Sequence, residues 1–350
     1  MTNRQADVGA VIAAVEDPVM LVDRSWTILQ ANEAASELFG SQLTGGPLVR
    51  AFRNPDAIRA LSSVLEGLDS AQVEITLPAP DPTPYRMQVA ALGGMEPGQA
   101  AVVVVLRDIS FLQAAQQMRS DFVANVSHEL RSPLTTLSGL IETLRGTAKD
   151  DPQAQARFLD VMAREAGRMD RLIGDLLSLS RVEADERVRP TLAVDLLSVI
   201  GRVVSAIRQR SEATGREIVF EPDFETCHVA GDDDQLIQVF QNLLENAVKY
   251  SRPGGKVTIT VQQRKPMPKF SGDVWAIMVA DEGEGIAAEH IPRLTERFYR
   301  VDSGRSRQMG GTGLGLAIVK HIVNRHRGRL VINSWEGAGT TMTVLLPAVD

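Results

Sequence analysis

Cysteine is almost absent from this 350-residue chain, and long hydrophobic runs are missing. The single cysteine, Cys227, excludes a disulfide framework and a four-cysteine metal site, so we expect it to be a small buried residue. Uninterrupted apolar runs reach only seven residues, as at residues 100–106, whereas a membrane-spanning helix needs roughly 18 apolar residues. Residues 1–7 are polar, and no apolar segment of a signal peptide follows them. These absences predict a soluble, cytoplasmic protein.

Positive charge is also in deficit, with 37 lysines and arginines against 44 aspartates and glutamates. The resulting net charge of −7 argues against a nucleic-acid-binding protein. Residues 1–110 contain neither histidine nor cysteine, which disfavours a histidine-ligated haem or a flavin–cysteine photosensor in that part. The composition is typical of globular proteins, since 44% of the residues are hydrophobic, and the length suits two to three domains.

The first predicted domain covers residues 8–110. Two short strands surround a polar turn within residues 19–30, and further strands are predicted at 72–78, 85–92 and 100–107. Asn32 is a good N-cap for a helix that ends at Gly40.

The second predicted domain, residues 111–186, is a helical hairpin that turns at residues 147–152. Its first helix carries apolar residues at steps of three and four, namely Val123, Val126, Leu130, Leu134, Leu137, Ile141 and Leu144. His128 points away from this stripe toward water, beside Glu129 and one turn before Ser132. Pro133 is expected to kink the helix. A lone exposed histidine is usually inert surface, so His128 needs support from elsewhere in the chain.

The return helix of the hairpin has an apolar stripe of its own. Its members are Phe158, Met162, Ala166, Met169, Ile173, Leu176 and Leu177. Because two amphipathic helices cannot cover both stripes alone, we expect a four-helix bundle in a homodimer. Residues 187–190 are expected to be a linker to a third domain, residues 192–348.

In this third domain, residues 232–251 indicate a helix with the spacing of a capping box at Asp232 and Gln235. One face carries Leu236, Val239, Phe240, Leu243, Leu244 and Ala247, and the other carries Asn242, Asn246, Lys249 and Tyr250. Amide oxygens suit Mg²⁺, a lysine suits phosphate and an aromatic ring can stack on a base. A solvated polar face is an equally good interpretation of this helix alone.

Two glycine-rich segments favour a nucleotide site. A predicted strand over 275–280 runs into Asp281, Gly283 and Gly285, where a backbone can pass close to a flat ligand and a carboxylate can accept from an exocyclic amine. Residues 310–320 open a helix with four glycines in six residues, and free amide groups at a helix start bind anions. The remaining histidines, His228, His290, His321 and His326, are expected to be surface or packing residues.

These motifs resemble sensor histidine kinases of two-component systems. Residues 122–134 resemble the H box, and residues 232–320 resemble the N, G1, F and G2 boxes, with residues 297–300 as the F box. The resemblance implies an α+β multidomain fold: a PAS-like α/β sensor domain, a dimeric four-helix-bundle hairpin (DHp) and an ATP-binding α/β sandwich of the Bergerat (GHKL) type. Residues 287–309, including the polar stretch 303–307, would form a lid over the nucleotide.

The resemblance also implies roles for individual residues. His128 would accept the γ-phosphoryl group, Glu129 would act as general base, and Ser132 would position water for dephosphorylation of a response regulator. Asn246 would bind Mg²⁺, Asn242 and Lys249 the phosphates, Tyr250 the adenine region and Asp281 the adenine amine. Further ATP contacts fall on Gly283, Gly285, Arg300, Gly311, Thr312, Gly313, Leu314 and Gly315.

Asn242 separates the kinases from one alternative. The ATPase branch of the fold generally has a glutamate at this position, and an amide cannot take a proton from water. The site is therefore expected to hold ATP for an external nucleophile. The alternatives are a Bergerat-fold ATPase, an anti-sigma-type protein kinase or a scaffold without activity.

Within the family, the chain resembles the PhoR-type phosphate-regulon sensor kinases most. Residues 53–55, 146–159 and 176–183 carry this resemblance. It implies a PhoB-like response regulator, phosphate sensing, and a link to PhoU and the phosphate transporter. PhoR-type kinases normally begin with membrane-spanning helices, which this sequence lacks, so we expect either a soluble variant or a preceding segment that carries those helices. Any membrane association would come through partners or that segment.

Overall fold

The computed structural model describes residues 9–40, 42–78, 82–93, 96, 98–185, 188–213, 215–268, 270, 272–302 and 311–349. The chain divides into two compact units, Met1–Val123 and Ala124–Asp350. Within the described ranges, no helix is both long enough and apolar enough to cross a membrane.

The first unit contains a five-stranded antiparallel sheet in the order β2-β1-β5-β4-β3. The strands are β1 (Val19–Val22), β2 (Ile28–Ala31), β3 (Ser70–Leu77), β4 (Thr83–Ala91) and β5 (Val102–Asp108). Helices α1 (Glu33–Phe39) and α2 (Pro55–Leu65) and a 3₁₀ turn (Leu48–Arg50) lie between β2 and β3, and residues 9–13 are also helical. Each strand predicted from the sequence is present, with ends shifted by at most two residues.

Asn32 does more in this unit than cap a helix. Its side-chain oxygen accepts from the backbone N–H of Ala35 at 3.0 Å and of Val19 at 2.9 Å. Its amide nitrogen donates to the carbonyls of Val15 and Asp17 at 2.9 and 2.8 Å. This buried side chain therefore ties the N-terminal segment, β1 and α1 together.

Two long helices, α3 (Ser110–Arg145) and α4 (Pro152–Ala184), form the predicted hairpin. Asp151 caps α4 by accepting from the N–H groups of residues 153 and 154, and Pro152 occupies the first turn, where its missing N–H costs nothing. Helix α3 continues through Pro133, and the expected kink stays a prediction.

The return helix uses a face that the sequence analysis did not identify. Leu172, Leu179 and Val182 are buried, whereas Ile173 and Leu177 from the predicted stripe are exposed. The C-terminal half of α4 packs against helix α7 (Gly315–Arg325) of the same unit. The helix therefore has one apolar face covered within the chain and another left open.

The remainder of the second unit is a sheet covered by helices, as the predicted α/β sandwich requires. Its strand order is β11-β12-β10-β9-β7, antiparallel except for the parallel pair β7–β9. These strands are β7 (Glu217–Phe220), β9 (Lys256–Arg264), β10 (Val274–Asp281), β11 (Arg329–Trp335) and β12 (Gly339–Pro347). Three helices pack together in this unit, namely α5 (Leu196–Ala213), α6 (Asp233–Tyr250) and α7. The unit also contains a two-stranded sheet of β6 (Ala193–Asp195) and β8 (His228–Ala230) and a 3₁₀ turn (Ile291–Arg293).

The predicted capping box of α6 is half formed. Asp232 accepts from the N–H of Gln235 at 3.2 Å, but its own N–H donates to Nε2 of His326 at 3.0 Å. His326 is buried, and its Nδ1 lies 2.7 Å from the carbonyl of Ile322. The expectation of a packing residue is confirmed for His326. In a complete capping box the Gln235 side chain would accept from the N–H of Asp232, and here the ring of His326 accepts instead.

Candidate nucleotide and phosphotransfer site

Helix α6 presents its polar face as the sequence predicts. Every member of the predicted apolar stripe is buried, while Asn242, Asn246 and Lys249 are half-buried and Tyr250 is 44% exposed. The ammonium of Lys249 lies 4.9 Å from the ring centroid of Tyr250, within cation–π range. The lysine and the ring therefore form one patch at the end of the helix.

Asn242 has an amide nitrogen that is buried and makes no hydrogen bond to the part of the chain that the structure describes. A Cβ added to Gly315 would lie 3.1 Å from Oδ1 of Asn242, so the start of α7 closes on this amide. Buried polar atoms are nearly always hydrogen-bonded, and an exception marks a place for water, an ion or a ligand. The orphaned atom lies where the sequence predicts a phosphate contact.

Asp281 ends β10 with its carboxylate held in place. Burial raises the pKa of the Asp281 carboxyl, and hydrogen bonds from the backbone of Gly283 and Thr340 oppose the rise. A Cβ on Gly283 would meet the carbonyl oxygen of Tyr250 at 2.5 Å, so the first glycine of this segment packs against the end of α6. Gly285 has φ +74°, and a Cβ there would collide with the backbone of Trp335. At both positions only glycine fits, because a side chain would collide with the neighbouring backbone.

The segment of residues 311–315 leads into α7 and contacts the F-box region. Gly313 has φ +76°, and its carbonyl accepts from the N–H of Phe298 at 2.8 Å. A Cβ added to Gly313 would lie 2.8 Å from Cα of Phe298, which leaves no room for a side chain. Phe298 itself has φ +65°, which is rare for a bulky residue. Leu314 is fully buried, and its N–H donates to the hydroxyl of Thr312 at 3.3 Å. Gly311 is half-buried. The predicted lid stretch 303–307 lies outside the described residues.

His128 is exposed on α3, as the helical periodicity predicts, and Ser132 is exposed one turn further. The carboxylate of Glu129 accepts from two arginines, Arg168 of α4 at 2.5 Å and Arg300 at 3.1 Å. The side chains of Arg168 and Arg300 are only 10% and 6% exposed. Glu129 is thus held by cations in this structure, rather than by the ring of His128.

A second hairpin carboxylate also contacts a predicted ATP residue. The hydroxyl of Thr312 donates to Oδ2 of Asp175 at 2.6 Å. Burial raises the pKa of the Asp175 carboxyl, the bond from Thr312 opposes this, and the nearby Glu245 raises the pKa further.

Arg168 and Asp175 were both missed by the sequence analysis. Their partners lie 39 and 137 residues away, so no spacing rule connects them. The only signal was a charged residue beside the apolar stripe of α4, which is usually a solvated position.

The residues present fit a Mg²⁺-bound nucleotide. The orphaned amide of Asn242, the glycine positions without room for a side chain, and the Lys249–Tyr250 patch suit phosphates and a base. Among the described residues, no group of three or more His, Cys, Asp or Glu could hold a metal ion. A hard cation here would depend on an amide oxygen such as that of Asn246, with phosphates and water, which is how Mg²⁺ commonly binds beside nucleotides.

Three family models match the chain. The model for histidine kinase-, DNA gyrase B- and HSP90-like ATPases matches residues 231–350, the His kinase A (phospho-acceptor) domain matches 118–185, and a PAS domain matches 9–72. Among solved structures, the histidine kinase ThkA in complex with the response regulator protein TrrA aligns over 97% of this chain and 98% of that chain, with a TM-score of 0.52 and 20% identity. That likeness supports the fold.

Curated relatives align along nearly the whole chain. The phosphate regulon sensor protein PhoR of Pseudomonas aeruginosa is 37% identical over 95% of this chain and 72% of its own length. The sensor protein kinase WalK of Staphylococcus saprophyticus is 33% identical over 97% of this chain, which spans 54% of that relative's length. The chain belongs to the sensor histidine kinase family of two-component systems, and its sequence is PhoR-like.

Proposed function

We propose that this sensor histidine kinase phosphorylates itself on His128 with Mg²⁺-bound ATP and transfers the phosphoryl group to an aspartate of a response-regulator receiver domain. The observation that carries the proposal is the ion pair between Glu129, next to His128, and Arg300, in the segment expected to contact the γ-phosphate. It links the expected acceptor turn to the expected phosphate-binding region within one compact unit. The exposure of His128 leaves its ring open to an incoming phosphoryl group.

The binding step uses the polar groups already described. Asp281 accepts from the adenine amine, Tyr250 lies against the base, and Asn242 and Lys249 contact the phosphates. Mg²⁺, held through Asn246, would neutralise phosphate charge. Arg300 leaves Glu129 for the γ-phosphate, which removes one of the two cations that hold the carboxylate. The protein's work here is positioning and charge neutralisation, which carry most of the catalysis in phosphoryl transfer.

The transfer step involves one bond formed and one broken. A ring nitrogen of His128 attacks the γ-phosphorus, the bond from that phosphorus to the bridging oxygen breaks, and ADP leaves. Glu129 takes the proton from the other ring nitrogen, which keeps the imidazole nucleophilic. Asn242 cannot act as a base toward water, so hydrolysis does not compete strongly. In the reverse direction, the Ser132 hydroxyl positions water that dephosphorylates the regulator.

The partners follow from the relatives and from the hairpin. We infer a PhoB-like regulator, phosphate-starvation signalling and a link to PhoU from the likeness to PhoR. Open apolar side chains along the hairpin, Leu134, Ile141, Leu159, Ile173 and Leu177, support a homodimeric bundle. The cytoplasm, where response regulators lie, is the location we propose for the described domains.

A different regulator is the second candidate, because WalK sequences align with this chain at 33% identity over 97% of its length. Rates of transfer from the phosphorylated chain to a panel of purified receiver domains separate the two. Preferential labelling of a PhoB-like receiver supports phosphate-regulon signalling, and preference for another receiver assigns the kinase to that pathway.

Incubation with γ-labelled ATP and Mg²⁺ tests the kinase activity itself. We expect protein-bound label that survives alkali, is lost in acid and is absent from His128→Gln. His228→Gln is the matched control, since His228 lies in strand β8, outside the hairpin helices, and should keep the label. Free labelled phosphate with no labelled protein would instead favour an ATPase.

A further inference from the structure

Two groups expected to bind the triphosphate are bonded to carboxylates of the hairpin in this structure. Thr312 donates its hydroxyl to Asp175 at 2.6 Å, and Arg300 donates to Glu129 at 3.1 Å. The hydroxyl of Thr312 would have to offer the same hydrogen atom to a phosphate oxygen, which is also an anionic acceptor. We propose that Asp175 is an internal competitor of the nucleotide phosphates for the hydroxyl of Thr312, which it must release when ATP binds. The proposal rests on the nucleotide site of the proposed function.

The hydroxyl of Thr312 has no spare hydrogen for a phosphate. Its single hydrogen is donated to Asp175, while its oxygen accepts from the N–H of Leu314 at 3.3 Å. A hydroxyl carries one donor, so a phosphate oxygen and Asp175 cannot share it fully. The two acceptors are therefore alternatives.

The environment of Asp175 adds a charge argument. Asp175 is half-buried on α4, with Glu245 of α6 near enough to raise its pKa and Arg171 near enough to lower it. An anionic phosphate placed at Thr312 would meet the Asp175 carboxylate at close range in a partly desolvated setting, where like charges repel more strongly than in water. Nucleotide binding and the Asp175–Thr312 bond should oppose each other.

Other contacts hold the nucleotide part on the hairpin independently of Asp175. Arg297 pairs with Glu183 at 2.5 Å, the hydroxyl of Ser178 donates to Gln238 at 2.7 Å, and Arg325 donates to the carbonyl of Asp185 at 3.1 Å. Removing the Asp175 carboxylate should therefore release Thr312 without separating the two parts or unfolding the unit.

The test is calorimetric titration of the full chain with a Mg²⁺-bound, non-hydrolysable ATP analogue. Asp175→Ala should lower the Kd roughly three- to tenfold, as expected for the net contribution of one typical intramolecular hydrogen bond. Asp175→Asn keeps an oxygen that can accept from Thr312, so its gain should be smaller. Asp170→Ala, at an exposed position on the same helix, is the matched control and should leave the Kd unchanged.

Adenosine, which has no phosphates, separates competition from general loosening. Its Kd should be the same in Asp175→Ala and in the unaltered chain. An unchanged or weaker affinity of Asp175→Ala for the analogue, or an equal gain for adenosine, would overturn the proposal.

The two proposals fail in distinguishable ways. Label on His128 together with an unaltered analogue Kd in Asp175→Ala overturns the competitor role alone. Tighter analogue binding with no label in any variant overturns the kinase mechanism alone. The absence of nucleotide binding in every variant would overturn both.

Discussion

A guanidinium nitrogen of Arg300 lies 3.1 Å from Oε2 of Glu129, although the two residues are 171 positions apart in the chain. The arginine side chain is 6% exposed, and its Nε is buried without an acceptor among the described residues. The guanidinium of Arg300 therefore pairs with the carboxylate next to His128 and still has an N–H that can donate to another anion. The pair places the expected base and the expected phosphate contact within hydrogen-bond distance of each other.

Replacing the carboxylate tests the role of Glu129 as a base. Glu129→Gln should lower the rate of autophosphorylation by roughly 10²-fold, since general base catalysis contributes about 10²–10⁴. Nucleotide affinity should not fall, because Glu129 does not contact the nucleotide in our mechanism and only competes with it for Arg300. Rate measurements at saturating ATP, with the exposed Glu142→Gln on the same helix as control, check this. An equal loss in both variants would contradict the role.

Arg168 is expected to stabilise the hairpin by holding Glu129. Arg168→Met leaves a partly buried carboxylate with fewer donors, at a cost of about 1–3 kcal/mol in the free energy of unfolding. Urea denaturation followed by circular dichroism measures this cost. Arg164→Met, at an exposed position on α4, should stay within about 0.5 kcal/mol of the unaltered chain. Equal stability of the two variants would show that the ion pair adds nothing.

Gly313 and Gly337 allow the effect of a left-handed backbone to be compared with the effect of a steric collision. Gly313 and Gly337 have φ of +76° and +82°, but a Cβ on Gly313 would lie 2.8 Å from Cα of Phe298, whereas one on Gly337 would contact nothing within 4 Å. Gly337→Ala should cost only about 1 kcal/mol of stability from the left-handed backbone. Gly313→Ala should in addition weaken nucleotide binding severalfold, because the F-box backbone must move. Titration with the ATP analogue compares them, and equal affinities would refute the collision.

His326 should make the protein less stable in mild acid. Burial lowers the pKa of His326 below its ordinary value of 6.5, so the unfolded chain takes up a proton more readily than the folded chain. The neutral ring contributes its full stability above about pH 6.5, and the contribution is lost as the pH falls through the lowered pKa. Protonation also removes the acceptor for the N–H of Asp232.

The measurement is the free energy of unfolding between pH 7.5 and about 5, above the range in which ordinary carboxylates titrate. His326→Phe should be less stable at pH 7.5, because the Asp232 N–H loses its acceptor, and should show a flatter pH dependence. Parallel curves for the two proteins would contradict this linkage.

Local patterns predicted much of this molecule. The apolar stripe of α6, the cap at Asn32 and the exposure of His128 follow from periodicity and capping rules that act over a few residues. What escaped prediction are bonds between distant segments. Asp175 meets Thr312 across 137 residues, and the N–H of Asp232 takes His326 rather than the expected Gln235 side chain. Such pairings are decided by tertiary packing, which the sequence pattern does not encode.

Mapping the modified residue tests the account most directly. The full chain is incubated with Mg²⁺-bound ATP, digested at alkaline pH to preserve phosphohistidine, and fragmented in a mass spectrometer. The mass of one phosphoryl group should localise to the ring of His128. A phosphoryl group on any other residue, or an unmodified His128 in protein that binds ATP, would contradict the account.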